Sequence, residues 1–537
     1  MQPELHDVVV VGAGPVGLAV GRLLGLQGHD VVILERWPEP YGLPRAVVFD
    51  DEIGRAFQSM GLSDEVKAIS EPVHDSYEWR NAQGRTLVKI PWELDRPCGW
   101  GTSFFSQPEL EQVLADAVTA MPNVRLRRGA EVVQIHETDD DVLVTYTSAV
   151  TKQRRIRARY VVGCDGANSF VRQRMGVSMV DRGFFFDWLV VDTKPHDEAD
   201  WAPPGWDDVD PVPQNWQMCD PARPTTVVSG GPGRRRWEFM RLPGETRDSL
   251  NDPAKAWELL AAWGRTPENT DLERHAVYTF GARWADAWNK GRLILAGDAA
   301  HQMPPFAGQG MCSGMRDAAN LSWKLDRVLS GRSGPALLDS YTSERTRHLQ
   351  YAIAMSVALG NVICVLDPEL AAERDARMLA GGADPAKVLP ITEQPVLGSG
   401  IVATAEGLAG LAGTHAPQFP VETAEGYTAL LDDVVGYGAV LLTSDAAAAA
   451  RIGETHRSLL DAAHVRVFTI GSEGCDLEDS THAWSRWFTD QQIACVLLRP
   501  DHYVFGTAAT PERLTDLVHG YHAALAPISV ATPVPTA

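Results

Sequence analysis

Apolar residues recur along this chain in two rhythms, and the switch between them marks its elements. Val8 to Val11 is an unbroken apolar run, which predicts a buried strand. Gly12-Ala13-Gly14-Pro15-Val16-Gly17 follows, then helical spacing through Leu18, Leu23, Leu24 and Leu26 up to Gly28. A second apolar run, Val31 to Leu34, ends in Glu35 and Arg36. This is a strand–helix–strand pattern with G-x-G-x-x-G at its first turn. There Gly12 permits the tight turn, Gly14 the close approach of a pyrophosphate, and Gly17 close helix–strand contact, while Glu35 is placed to hydrogen-bond an adenosine ribose. Gly12, Gly14, Pro15, Gly17, Glu35 and Arg36 are the candidate nucleotide contacts. The fingerprint alone does not separate FAD from NAD.

Further along, a helix is predicted from Glu52 to Met60 behind Asp50, whose plain role is an N-cap. Gln107 opens another, with Leu110, Val113, Leu114 and Val118 on one face. Period-two alternation from Val132 to Tyr146 and from Ile156 to Tyr160 predicts a β-meander, and the strand ending at Cys164 gives way to Asp165-Gly166 and a helix from Asn168 to Met175. Residues 180–285 alternate short strands with Pro- and Gly-rich turns, which predicts an antiparallel sheet. It carries Phe184, Phe185, Phe186, Trp188, Trp216, Trp237 and Phe239, as pocket wall or as ordinary β-core, the latter being the expectation for any single ring. Arg234-Arg235-Arg236 follows a glycine-rich turn but no helix comes after it, so a solvated hairpin is expected there. Helix is predicted from Trp323 to about Leu366. A new unit begins near Pro395, with strands at Val465–Ile470 and Ala494–Leu498, a closing helix over 511–525, and a frayed tail from Ala526.

Leu293-Ile294-Leu295-Ala296 is one more apolar strand, and it runs into Gly297-Asp298, then Pro304-Pro305, Gly308-Gln309-Gly310 and a helix from about Met311. An acid at a strand end can accept hydrogen bonds from a polyol, and a glycine-rich loop opening a helix presents bare N–H groups to an anion. Such a segment suits a ribityl chain and the negative edge of a reduced flavin.

Charge narrows the partners. With 70 acids against 48 bases the net charge is −22, which argues against nucleic acid and against an anionic membrane surface. The seven cysteines are scattered, with no C-x-x-C and no metal-ligand cluster, as expected of a reduced cytoplasmic protein. No signal peptide and no membrane-spanning run is read from the sequence.

The motifs at Gly12–Gly17, Asp165-Gly166 and Gly297–Asn320 occur in the order found in the class A FAD-dependent aromatic hydroxylases, which this chain resembles over most of its length. Trp237-Glu238-Phe239-Met240 and the stretch from Gly297 resemble most the 3-(3-hydroxyphenyl)propionate hydroxylases and the hydroxylases of aromatic polyketides. The resemblance implies an α/β fold: a Rossmann-like FAD-binding domain (1–179 and, with a helical linker, 284–394), an inserted antiparallel-sheet substrate domain (180–283) and a thioredoxin-like C-terminal domain (395–537). It implies non-covalent FAD, NADH or NADPH as transient reductant, O₂, and hydroxylation of a phenolic or polycyclic aromatic through a flavin C4a-hydroperoxide. It places Arg45, after the Leu43-Pro44 turn, and Pro305 near the flavin, with Gln107, Asp165, Gly297, Asp298, Gly308, Gln309, Gly310 and Met311 as further flavin contacts; for Gln107 a surface cap is the alternative. Asp50, Asp51 and His301 are candidates for deprotonating the substrate, with Arg45 and Pro305 beside the reaction. Against these stand an N-cap role for Asp50 and a purely structural role for His301. A dehydrogenase or reductase on the same fold, or a non-catalytic FAD-binding protein, shares these motifs, and monomer or homodimer is left open.

Overall fold

The computed structural model describes residues 3–40, 45–92, 98–148, 153–197, 203–206, 209, 212–390, 396–397, 399–444, 449–450, 452–472 and 474–525. The Leu43-Pro44 turn, the boundary at Pro395 and the tail from Ala526 lie outside them.

The apolar run at the N-terminus becomes the central strand of an eight-stranded sheet. Leu5–Val11 lies parallel to Val31–Glu35 on one side and to Arg154–Gly163 on the other. Val124–Arg128 extends the parallel sheet beyond Val31–Glu35, and Leu293–Leu295 extends it beyond Arg154–Gly163. Val8, Val9 and Val10 are wholly buried, as a parallel strand covered on both faces requires. Helix Pro15–Leu26 packs on helix Gln309–Leu329, where Gly314 has no room for a side chain: a Cβ there would sit 2.6 Å from Val16 Cγ2. The meander Ala130–Glu137, Val142–Ser148 and Arg154–Gly163 hangs from the same sheet. The chain thus leaves this layer after residue 163 and returns to it at Asn289, whose short strand pairs with Leu293–Leu295.

Between those points it builds five strands of a second eight-stranded sheet. The order is His301–Gln302, Thr270–Ala285, Met179–Pro195, Arg235–Met240, Thr225–Ser229, Asn215–Met218, Ser76–Arg80, Thr86–Pro91. The last two strands come from well before the predicted 180–285 segment, and Ser76–Arg80 joins it in parallel, next to Asn215–Met218. Alternation splits the sheet's side chains between two faces. Trp216, Trp237 and Phe239 turn to one face and form a core with Leu250, Leu260 and Trp263 from the neighbouring helices. The other face mixes polar residues with Val190, Val228 and Phe280 and lines the cavity described below. The arginine triplet is not a solvated hairpin. Arg235 and Arg236 are 2% and 3% exposed within a strand paired on both sides, and buried carboxylates such as Asp192, on the adjoining strand, make that placement tolerable.

The C-terminal segment forms a seven-stranded sheet whose order toward one edge is Val465–Gly471, Ala439–Thr443, Cys495–Leu498, Val504–Ala508, the first pair parallel and the others antiparallel. It docks on the first unit through buried polar contacts. Arg55 forms an ion pair with Asp432, and Gln58 hydrogen-bonds Gln418 and Asp433. Arg499 holds Glu344 and Asp501, and Lys324 also reaches Glu344, all four residues buried. Among the described residues no single helix is long and apolar enough to cross a membrane, and the pair Pro335–Ile363 and Pro368–Ala380, which has the combined length, bends by 117°.

Candidate active site

A cavity of about 710 Å³ runs from the glycine turn after the first strand to the mixed face of the second sheet. At its first end lie Gly14, Pro15 and Val16. Gly12 adopts φ +103°, and a Cβ on it would lie 2.3 Å from the Cys164 carbonyl oxygen; one on Gly17 would lie 2.1 Å from the Gly12 carbonyl oxygen. Gly14 differs: a Cβ there meets no protein atom within 4 Å, because its outer side faces the cavity. The three glycines therefore divide into two that let strand and helix touch and one that leaves room for a ligand. Glu35 accepts a hydrogen bond from the Ala13 backbone N–H at 2.8 Å, which sets its carboxylate beside this turn. Arg36 is exposed and stacks on Trp37.

Two helices open into the cavity without a side-chain cap. Helix Pro15–Leu26 starts at Gly14, and helix Gln309–Leu329 starts at Gly308, whose φ of +66° turns the chain out of the short helix Pro305–Ala307. Gly308, Gln309, Gly310 and Met311 all line the cavity, and a Cβ on Gly310 meets nothing within 4 Å. Uncapped N–H groups at two helix starts, each beside a glycine that clears the approach, fit the diphosphate and the electron-rich ring edge of FAD. Asp298 is exposed on the cavity wall next to the buried Gly297, and Pro305 lies further along the same loop.

Asp50 is the N-cap of helix Asp51–Ser59, its Oδ1 accepting from the Ile53 N–H at 3.2 Å. Its other oxygen points elsewhere: Oδ2 accepts from Arg316 Nη2 at 2.6 Å and from the Gln309 amide at 3.0 Å. The cap therefore coexists with a cavity-side ion pair. Arg316 also donates to Glu52 Oε2 at 2.6 Å and to Gln309 Oε1 at 2.9 Å. Burial raises the Glu52 carboxyl's pKa, but Arg316 foremost, then His415, His348 and the Tyr503 hydroxyl, together outweigh it and hold the group well below the usual carboxylate range. Asp51 lines the cavity and accepts a long hydrogen bond from the Cys98 thiol at 3.5 Å.

The remaining expected residues sit as follows. Gln107 is buried rather than a surface cap: its carbonyl oxygen accepts from the Ala46 N–H at 2.8 Å and its amide donates to Glu111, fixing the backbone next to Arg45. Arg45 is itself exposed at the cavity. Asp165 supports the start of the short helix Phe170–Met175, whose N-cap is Ser169, accepting from Ser169 Oγ and from the Phe170 and Val171 N–H groups, while its neighbours Cys164, Gly166 and Ala167 line the cavity. His301 is 1% exposed, hydrogen-bonded to Asp317 Oδ2 at 2.7 Å and packed on Trp288, in the arrangement of a positioned structural histidine that borders the cavity.

Sequence reading missed the opposite wall. Tyr77, Trp92 and Phe104 form an aromatic run, with Tyr77 and Trp92 stacked at 5.1 Å and Phe104 tilted against Trp92 at 5.8 Å. Gln217, Thr226, Arg236, Glu238 and Tyr278 face the cavity from the sheet. Of the rings noted in the sequence, Phe184, Trp188, Trp216, Trp237 and Phe239 are core, as expected of any single ring, Phe185 is exposed, and none of the seven lines the cavity. Arg316 was missed as well, although its place about two helical turns after Gln309 puts both on one helix face.

Known proteins carry the same architecture. The model of the FAD binding domain family matches residues 6–356, and that of the HcaD C-terminal domain matches 413–524. A probable NADH-specific resorcinol 4-hydroxylase of Rhodococcus jostii is 38% identical over 99% of this chain and 97% of its own length. A 3-(3-hydroxy-phenyl)propionate/3-hydroxycinnamic acid hydroxylase of Mycolicibacterium gilvum is 35% identical over 97% of this chain and 92% of its own. Among solved structures, aklavinone-11 hydroxylase with FAD and aklavinone superposes with a TM-score of 0.77 at 23% identity, covering 97% of this chain and 100% of that one. The flavin-dependent monooxygenase PieE with FAD and substrate gives 0.81 at 21% identity, covering 97% and 99%. The fold is shared with these two, and from its FAD-binding domain and its relatives this chain belongs to the FAD-dependent aromatic hydroxylases.

Proposed function

We propose that this hydroxylase inserts one oxygen atom from O₂ into a phenolic ring, with NADH as its reductant. The observation that carries the reading is the single cavity that joins the uncapped helix starts at Gly14 and Gly308 to an aromatic and polar sheet face. The choice of NADH and of a small phenol is supported by the resorcinol 4-hydroxylase of Rhodococcus jostii, similar over nearly the whole chain. Bound FAD supplies hydride acceptance and oxygen activation; the protein supplies position, charge and exclusion of water.

In this reading Gly14, Pro15 and the Ala13–Glu35 turn receive the adenosine diphosphate half. Asp298 accepts hydrogen bonds from the ribityl chain. The N–H groups at Gly310 and Met311 stabilise negative charge on the reduced ring, with Pro305 against it. Asp50, held by Arg316 and Gln309, is the favoured proton acceptor at the flavin side. The two segments 1–179 and 284–394 form the cofactor layer and 180–283 the substrate layer, with strands 76–80 and 86–91 completing it. We read residues 395–537 as thioredoxin-like, on the order of the four adjoining strands Val465–Gly471, Ala439–Thr443, Cys495–Leu498 and Val504–Ala508.

A panel of phenols tests the function. One of them should stimulate NADH oxidation, with product mass showing one added oxygen. Oxidation of NADH that never places oxygen in any phenol would overturn the reading.

A further inference from the structure

One hydrogen-bonded row on the cavity face of the second sheet has a direction. Gln217 is the cross-strand partner of Thr226, and Tyr77 lies two residues before Trp79, the partner of Gln217 on the next strand. Opposed residues, and residues two apart on a strand, share a face, and Tyr77, Gln217 and Thr226 all border the cavity. Thr226 Oγ1 donates to Gln217 Oε1 at 2.7 Å. The carbonyl end of the Gln217 amide therefore faces Thr226, and its NH₂ end donates to the Tyr77 hydroxyl oxygen. That oxygen is an acceptor toward the sheet, so its own proton is directed away from Gln217. Among the described residues no side chain or carbonyl accepts that proton. The nearby Glu238 acts on the hydroxyl through charge alone: burial foremost, and Glu238 with it, raise the Tyr77 pKa above its ordinary value against the Gln217 bond, so the group stays a donor. The ring itself is fixed, stacked on Trp92 at 5.1 Å and tilted against the buried Trp79 at 4.5 Å.

We propose that Tyr77 is a specificity residue whose hydroxyl donates a hydrogen bond to an acceptor oxygen on a ring substituent of the substrate, away from the phenol group that is deprotonated. This rests on the reading of the chain as a phenol hydroxylase and narrows it to phenols that carry a second oxygen. The two ends of such a substrate meet different walls. Asp50, on the cofactor layer, takes the proton of the phenol, while Tyr77, on the substrate sheet, meets the far substituent. A donor held in place by stacked rings on one side and an amide on the other loses little freedom when it binds, which favours a ligand that presents an acceptor there over one that presents a methyl group. A buried hydroxyl facing an apolar group would also forfeit its hydrogen bond to water. A second ring hydroxyl and a side-chain carboxylate both supply such an oxygen, and the two differ in reach and charge.

The test uses the FAD-loaded enzyme and flavin absorbance titration with two pairs of ligands matched in shape: resorcinol with 3-methylphenol, and 3-(3-hydroxyphenyl)propionate with 3-(3-methylbutyl)phenol. In the wild type the oxygen-bearing member of at least one pair should bind as tightly as its apolar partner or more tightly. A preference for the apolar member in both pairs overturns the proposal and needs no variant to fold. Tyr77→Phe keeps the stacked ring and removes the donor, so the preference for oxygen should fall about tenfold in the pair that uses it, the worth of one hydrogen bond. The pair that responds identifies the oxygen as hydroxyl or carboxylate. Preferences unchanged in both pairs, including an equal weakening of both members, overturn the proposal. Oxygen incorporation into the two oxygen-bearing phenols by the wild type is measured in parallel. Its absence would overturn the hydroxylase reading alone, because the Kd preferences still decide the role of Tyr77.

Discussion

Tyr503 donates a hydrogen bond from its hydroxyl to Glu52 Oε1 at 2.7 Å, joining positions 451 residues apart. Glu52 in turn holds Arg316, and Arg316 holds Asp50 at the cavity. The C-terminal unit thus buttresses a chain of alternating charges that ends at the proposed proton acceptor. Tyr503→Phe keeps the ring and removes the donor, leaving a buried carboxylate oxygen one hydrogen bond short. That should cost about 1–3 kcal/mol. The expected outcome is a lower denaturation midpoint with FAD content unchanged. A midpoint equal to the wild type's would show that the contact carries no weight.

The glycine turn offers a contrast between two neighbouring substitutions. Gly14 has ordinary extended backbone (φ −71°, ψ 178°) and open space where a side chain would project. Gly14→Val should therefore fold, and should emerge colourless because the valine occupies the diphosphate's place. Gly17→Ala would press a methyl group against the Gly12 carbonyl oxygen at 2.1 Å, so it should lower stability of the apoprotein itself. Visible absorbance and far-UV melting of the two variants separate these effects. A fully flavinated Gly14→Val protein would refute the assignment.

Asp50 combines a helix cap and an ion pair, and substitutions can separate them. Asparagine keeps an oxygen for the Ile53 N–H, while alanine removes both interactions. Asp50→Ala should lose about 1–2 kcal/mol through the cap, plus a contribution from Arg316 that Glu52 partly replaces. Asp50→Asn should keep most of the cap. If Asp50 accepts the substrate proton, both variants lose the same ionisation from the pH profile of hydroxylation, although their stabilities differ. An unaltered profile in Asp50→Asn would move the proton acceptor elsewhere.

The cofactor layer was legible because its chemistry is local. A glycine turn between an apolar strand and a helix needs no distant partner to be recognised, and Gly12, Gly14 and Gly17 occupy the places their spacing implies. The same holds for the loop from Gly297 to Met311. The substrate wall was illegible for the opposite reason. Tyr77 and Trp92 meet Gln217 and Glu238 only because Ser76–Arg80 pairs with Asn215–Met218, a contact that no local pattern encodes. The arginine triplet failed similarly: Arg236 is stable inside because Asp192 arrives from another strand. Asp50 was ambiguous in sequence because it does serve as a cap, and only Arg316, brought by a distant helix, reveals its second role.

His348 predicts how stability depends on pH. It is 4% exposed, and burial, together with Arg316 and Arg345 nearby, lowers its pKa to about 3. In the unfolded chain a histidine titrates near 6.5. Between those values the unfolded state binds a proton that the folded state refuses. Stability is therefore full above about pH 6.5 and falls as pH drops toward 3, by at most about 1.4 kcal/mol per pH unit from this residue. The pair Asp317–His301 adds to acid lability from a lower range. Burial raises the Asp317 carboxyl's pKa, but His301 and Arg345 outweigh it and hold the group below its ordinary value, so its contribution disappears only as pH falls below about 4. Urea midpoints measured from pH 7.5 to 4.5 should thus decline steadily in the wild type and more shallowly in His348→Gln, whose amide does not titrate. Parallel declines in the two proteins would exclude His348 as the source.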